Sequence, residues 1–163
     1  NYFTSAKVMD YICLGYNWRM SNVTAALGVS QLEKLDKVAE MRRRNAAYMS
    51  KRLSKLSGIE PPNPPRGFFH VYQMYTVKVR GGEKARDGLK GYLAEKGVMT
   101  KVYFSPVHLT SFYRERFGFQ GGELPMTEGI SKHVLTLPMY ASLTKDEMDY
   151  VVESVKGFME NLS

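Results

Sequence analysis

Cysteine is almost missing from this chain. A single residue of that type, Cys13, excludes an internal disulfide framework and fits a reducing compartment, the cytoplasm. Long apolar runs are missing as well. Nowhere do hydrophobic residues reach the roughly 18 needed to cross a bilayer, so no membrane partner is expected. The first ten residues, NYFTSAKVMD, hold neither a basic n-region nor an apolar h-region, and no signal peptide is visible. They also lack an initiator methionine, which leads us to expect a chain that begins inside a longer protein. Histidine is scarce too. His70, His108 and His133 lie far apart with no cysteine at ligand spacing, so no metal site is expected.

What is present is ordinary for a folded protein. The 163 residues are about one domain's length, with 44% hydrophobic and 24% charged residues. The net charge of +7 suits an anionic partner such as a nucleotide diphosphate. It equally suits an acidic remainder of a longer protein. The run Arg42-Arg43-Arg44 resembles a nucleic-acid patch, but three successive helical residues point about 100° apart. They are better read as a solvated face, and with no nucleic-acid-binding motif in the chain, no nucleic-acid partner is expected.

Periodicity divides the chain. After an aromatic-rich entry, Ser21 is placed to cap a helix. Leu32, Leu35, Val38, Met41, Ala46, Met49, Leu53 and Leu56 keep a spacing of three to four, which predicts one buried stripe. A helix over 21–58 is long enough to predict a bend, at Gly28 or around Leu35-Asp36, and Gly58 suits its C-terminal end. The proline-rich run Glu60-Pro61-Pro62-Asn63-Pro64-Pro65-Arg66-Gly67 predicts an extended spacer rather than a ligand for an SH3 domain. Strands are predicted over Val71–Arg80, Val98–Phe104 and Leu135–Leu137, and helices over Lys84–Lys96, Leu109–Phe117 and Met126–Val134. The last helix opens with a capping box, Thr144 and Glu147, and carries an apolar face of Met148, Val151, Val152, Val155, Phe158, Met159 and Leu162. Strands interrupted by helices in this order predict an α+β fold. The expected organisation is an irregular entry segment over 1–20, a long linking helix over 21–58 and a small αβ domain over 59–163.

The best candidate site is the loop before the long helix. Asn17 offers a side-chain amide and Arg19 a fork of donors suited to phosphate or carboxylate. Both precede a helix N-terminus, which favours anions. The residues alone leave another reading open, in which Asn17 closes a turn and Arg19 pairs with an acidic neighbour.

The stretch GYNWRMSNVTAALGVSQLEKL resembles the GYNYRM segment of the DegT/DnrJ/StrS family, pyridoxal-phosphate-dependent aminotransferases acting on nucleotide-linked keto-sugars. VYFSPVHLTSFYRERFG and GGELPMTEGISKHVLTLPMYASLTKDEM are similar to two later family segments, in the same order, so the resemblance runs from about Leu14 to the C-terminus. It implies the C-terminal part of a fold type I transferase: the linking helix and small domain, without the domain that holds pyridoxal 5'-phosphate. It also implies a homodimer with sites shared across the interface. Asn17 matches the asparagine that reaches the neighbouring subunit's cofactor phosphate, and Arg19 an arginine that crosses towards the substrate. His108 matches the family's histidine near the sugar-nucleotide end of the site, and Tyr103 and Tyr113 are candidates to line the same end. Glu128 and Tyr140 match positions expected to cap and pack the small domain. Gln73 stands where many members carry histidine.

The family's lysine lies in a Ser-Phe-x-x-x-Lys-x-x-Thr-x-Gly-Glu-Gly-Gly type segment upstream of GYN, and this sequence has none. The resemblance therefore implies a parent enzyme that moves an amino group from glutamate to a nucleotide-linked keto-sugar. This chain alone is expected to be inactive and to hold no covalently bound cofactor. Two alternatives stand beside it. One is a dehydratase parent in which the lysine is replaced. The other is a stand-alone binding or regulatory module that keeps the small domain without catalysis.

Overall fold

A computed structural model of the protein describes residues 13–16 and 18–162. Most of the predicted entry segment and Asn17 lie outside them. The chain divides into two compact units, residues 1–35 and residues 36–163.

The first unit contains helix α1, Asn22–Leu32. Ser21 caps it as expected: its backbone is extended and its hydroxyl accepts from the Thr24 N–H at 3.2 Å. No residue of α1 is buried, and Val23, Leu27 and Leu32 stay open to solvent. Helix α2 runs from Leu35 to Leu53. The single helix expected over 21–58 is thus interrupted at Glu33–Lys34, just before the Leu35-Asp36 region, while Gly28 stays helical. The predicted stripe is also only partly buried. Leu32 and Leu35 are exposed, and burial begins at Ala39 and continues through Ala46, Met49 and Leu53. Spacing marks a face suited to burial, but only a facing surface buries it. Helix α2 also stops five residues before Gly58. There the chain takes a left-handed turn at Gly58 (φ 84°), where a Cβ would meet the Met159 side chain at 2.5 Å.

In the second unit, strands β1 (Ile59–Glu60), β2 (Tyr75–Val79) and β3 (Val134–Leu137) form an antiparallel sheet in the order β1-β2-β3. Tyr75 pairs with Leu137 and Lys78 with Val134. The alternation in β2 turns Tyr75, Val77 and Val79 inward. Helices α3 (Gly82–Glu95) and α6 (Lys145–Leu162) add Leu89, Leu93, Val151, Val152 and Val155 to the same core. Glycine lets these two helices approach closely. A Cβ on Gly88 would sit 3.1 Å from the Phe158 ring, and one on Gly157 would sit 3.1 Å from the Tyr92 hydroxyl.

The strand expected over Val98–Phe104 is not formed. One residue, Lys101, bridges Thr136 through two backbone hydrogen bonds of 3.2 and 2.8 Å. The next hydrogen-bonded pair towards Met99 would need an N–H from Pro138, which has none. Val98 and Thr100 are buried and Met99 and Lys101 exposed, so the alternation that suggested a strand is real although the ladder is not. The remaining predicted helices appear as α4 (Ser111–Phe117), after a 3-10 turn at Val107–Leu109, and α5 (Pro125–Ser131). The capping box of α6 is complete: Thr144 N–H donates to Glu147 Oε2 at 2.8 Å, and Glu147 N–H to Thr144 Oγ1 at 3.2 Å.

Two polar clasps tie α2 to the end of the chain. Asn45 is buried, and its amide donates towards the carbonyls of Tyr140, Ala141 and Leu143 at 3.1, 3.2 and 3.5 Å. Farther along, Asp149 of α6 accepts from the Tyr48 hydroxyl at 2.5 Å and from Arg52. The Tyr48 hydroxyl and, after it, the Arg52 guanidinium hold the Asp149 carboxyl below its usual range. The three arginines of the basic run do point different ways. Arg43 donates to the His70 carbonyl at 3.1 Å and covers the Phe69 ring at 4.1 Å, Arg42 is half-buried, and Arg44 is exposed.

Candidate functional site

The loop entering α1 is built almost wholly of exposed side chains. Tyr16 and Trp18 stack on each other at 5.4 Å with rings 10° from parallel, and Trp18 is 87% exposed. No acidic residue sits in the first turn of α1, so the positive end of its dipole is not offset by a side-chain carboxylate. Arg19, next to the cap, is exposed. Among the described residues it has no hydrogen-bond or ion-pair partner. An exposed arginine two residues before an uncompensated helix start suits an anionic group such as a phosphate or carboxylate. Asn17, expected to supply a neutral donor there, lies outside the described residues.

His108 belongs to a different construction, in the second unit. It sits on the 3-10 turn, is 6% exposed, and places Nε2 2.9 Å from Glu128 Oε1. Its ring meets Phe119 edge-on at 5.5 Å. Glu128, from α5, also accepts from the Gly122 N–H at 2.8 and 2.9 Å and from the Leu124 N–H at 3.3 Å. Beside it, Glu123 accepts from the N–H groups of Gln120 and Gly121, both at 2.8 Å. Four backbone amides therefore converge on two carboxylates, and the turn this requires is made possible by positive φ at Gly118, Gly121 and Gly122. The Glu128 carboxyl is held below its usual range, first by His108 and then by the Gly122 amide. The Glu123 carboxyl is held low chiefly by backbone amides, that of Gln120 first.

His108, Glu123 and Glu128 bring one ligand atom each within 4.8 Å of the others. The two carboxylates are nonetheless accepting from backbone N–H groups, and Glu128 also faces His108 Nε2, so a cation would have to compete with the bonds that shape the loop. The residues do not fit a resident metal. Tyr140, like Glu128, does structural work in keeping with the expectation for it: its hydroxyl donates to Glu147 Oε1 at 3.1 Å, extending the capping box.

Tyr103 is half-buried elsewhere in this unit. Lys101 Nζ lies 6.0 Å over its ring, and it borders a cavity of about 280 Å³ with Gln73, Thr100, Thr136 and Met139. Among the described residues no hydrogen bond or ring contact joins Tyr103 to His108. Tyr113 packs within an aromatic cluster, stacked on Phe117 at 5.8 Å.

The sequence reading missed Glu123 and Asn45. Glu123 was detectable in principle, since a carboxylate directly after a Gly-Gly pair is placed to accept from the amides of its own turn. Asn45 carried no such signal, because its partners lie 95–98 residues away.

The sequence model of the DegT/DnrJ/EryC1/StrS aminotransferase family matches residues 1–156, nearly the whole chain. The chain belongs to this family. Curated family relatives include a GDP-perosamine synthase from Escherichia coli O157:H7, 31% identical over 145 residues, which are 89% of this chain and 38% of that protein. A pleiotropic regulatory protein from Geobacillus stearothermophilus is 33% identical over 153 residues, 92% of this chain and 40% of that protein. Among solved structures, S. venezuelae DesV has a TM-score of 0.84 at 28% identity, covering 98% of this chain and 42% of that one. A family member from Brucella abortus has a TM-score of 0.81 at 26% identity, covering 94% of this chain and 40% of that one. The α+β arrangement is thus shared with aminotransferases of known structure. The chain spans about 40% of the length of these relatives.

Proposed function

We propose that this chain forms the linking helices and small C-terminal domain of a pyridoxal-phosphate-dependent aminotransferase subunit. The parent moves an amino group from glutamate to a nucleotide-linked keto-sugar. The reading is carried by the exposed Arg19 two residues before an uncompensated helix start, within a family match whose relatives include a GDP-perosamine synthase.

When bound, pyridoxal phosphate supplies the electron sink for amino-group transfer. This chain's residues bind and orient. Asn17 donates an amide N–H to the cofactor phosphate of the neighbouring subunit, and Arg19 fixes the substrate's anionic group by a bidentate contact. His108 and Tyr103 border the sugar-nucleotide end. The parent acts as a homodimer, each subunit lending its loop to the other, and it works in the cytoplasm.

The test uses the full-length protein that carries this chain, supplied with glutamate and a nucleotide-linked keto-sugar, with 2-oxoglutarate as the readout. Arg19→Ala is expected to lower kcat/KM by about a hundredfold, the scale of a lost orienting contact. Normal turnover in that variant would remove Arg19 from the site. The relative described as a pleiotropic regulatory protein supports a second reading, a regulatory module. Absence of 2-oxoglutarate with every keto-sugar tried, alongside retained nucleotide-sugar binding, would favour it.

A further inference from the structure

Met41, Arg44, Asn45 and Tyr48 recur at three- and four-residue spacing, so they share one face of α2. Across from them lie the turn at 141–144 and the first turn of α6, with Lys145 and Met148. Between these elements is a cavity of about 420 Å³. Its lining divides by chemistry. Leu143 and Met148 are buried and Met41 and Tyr48 half-buried, which makes one side apolar. Arg44 and Lys145, both exposed, bring two positive charges, and no carboxylate among the described residues lines it.

The acids nearest in sequence to those cations are engaged elsewhere. Glu40 pairs with Arg43 at 3.7 Å. Glu147 accepts from Thr144 and Tyr140, and Asp149 from Tyr48 and Arg52. Lys145 acts on the Asp149 carboxyl only after Tyr48 and Arg52, and does not pair with it. Among the described residues neither Arg44 nor Lys145 has a hydrogen-bond or ion-pair partner. Other cavities differ in this respect. The one beside Lys55 and Lys156 also holds Glu153 and Glu160, and the one beside Lys51 and Arg80 holds Glu60, so an anion there would meet repulsion.

We propose that the cavity between α2 and α6 binds a small organic acid, an apolar chain or ring ending in one carboxylate. The Arg44 fork holds the carboxylate, Lys145 adds charge beside it, and the apolar part covers Met41, Leu143 and Met148. A neutral apolar molecule would leave both cations unanswered, and a polyanion would set charge against the apolar side. Asn45 lines the same cavity while its amide ties α2 to the turn at 140–143, so an occupant touches both elements that this clasp joins. The inference goes beyond the aminotransferase reading and does not rest on it.

The test labels methionine methyl groups with carbon-13 in the full chain. Met41 and Met148 report on the cavity, and the remaining methionines serve as controls. The probes are hexanoate and phenylacetate, with 1-hexanol as a tail without a head and acetate as a head without a tail. At least one of the two acids should shift both reporter methyls and saturate below about 10 mM, whereas hexanol and acetate should bind at least about tenfold more weakly. Arg44→Ala should weaken the acid by about tenfold, the scale of a charge-assisted hydrogen bond, and Lys145→Ala by about threefold. Both positions are exposed, so the variants should fold. Lys90→Ala, which removes an exposed cation on α3, should change nothing. No saturable shift with either acid by that concentration overturns the site. Hexanol binding as tightly as hexanoate, or wild-type affinity in Arg44→Ala, overturns the acid as its ligand. Shifts at Met41 and Met148 that grow with protein concentration in the absence of acid would place a second copy there and overturn it as well.

Discussion

The loop and helix from Leu14 to Leu32 differ sharply from the body formed by residues 36–162. In the first, apolar side chains face water, no residue of the helix is buried, and Arg19 has no partner among the described residues. In the second, Tyr75, Leu89, Leu93 and Val155 are sealed, and nearly every buried polar group has found its bond. Even the Tyr75 hydroxyl, pushed up to about 12 by burial, is met by Ser50 at 2.8 Å. Groups left unsatisfied within a chain are available to something outside it. The body satisfies nearly all its buried donors within its own fold, whereas Arg19 in the loop has no partner among the described residues.

That contrast can be broken most forcefully in the core. Leu89→Ala should cost about 2–5 kcal/mol by urea unfolding, since a fully buried side chain leaves a cavity. Leu27→Ala, at a position 62% exposed, should change stability by no more than about 0.5 kcal/mol. Equal costs would mean that α1 is covered in solution, and light scattering would then show a dimer. Such a result would support the proposed shared interface.

Asn45→Ala should cost about 1–3 kcal/mol, because it strips the donor from the carbonyls of Tyr140 and Ala141 in a buried place. Little or no loss would mean that water takes its place. Thr144→Ala should cost about 1 kcal/mol through the cap of α6. Ser21→Ala deletes the corresponding cap of α1 and should have the smallest effect. It should fray that helix, visible as increased amide exchange in α1, without shifting the unfolding midpoint of the body.

Acid should act on the body through its glutamates. Glu123, Glu128 and Glu147 all have carboxyls held below their ordinary value of 4.5. A carboxylate favoured in the folded state stabilises fully above its unfolded pKa, and that contribution disappears as pH falls through the lower folded value. The stabilisation from these carboxylates should therefore be lost as pH falls below about 4.5, lowering the unfolding midpoint there. Glu128→Gln should flatten that decline, and an identical pH profile in the variant would show that Glu128 does not contribute to it.

Legibility followed the range of the interactions involved. Ser21 as a cap, the Thr144–Glu147 box and the apolar face of α6 were all readable, because each rests on partners three or four residues apart. The strand around Tyr75 was readable for the same reason, since alternation is a local property. The reading over Val98–Phe104 failed because a ladder needs two strands, and Pro138 across from Met99 has no N–H to supply. The helix over 21–58 was too long in the reading because its spacing stays periodic across Glu33–Lys34, where the backbone does not.

For the site, residue type and motif made Arg19, Asn17 and His108 candidates, but they carried no information about what each already touches. By itself, then, the sequence determined the α+β class, the helix caps, the family and the donors presented before α1. Those depend on covalent neighbours and on periodicities written into the chain. Only the tertiary structure decided that His108 meets Glu128, that Asn45 holds the Tyr140–Leu143 turn and that Lys101 makes a bridge in place of a strand. Each of those needs groups 20 to 98 residues apart to arrive at hydrogen-bond distance, and no local pattern specifies that meeting.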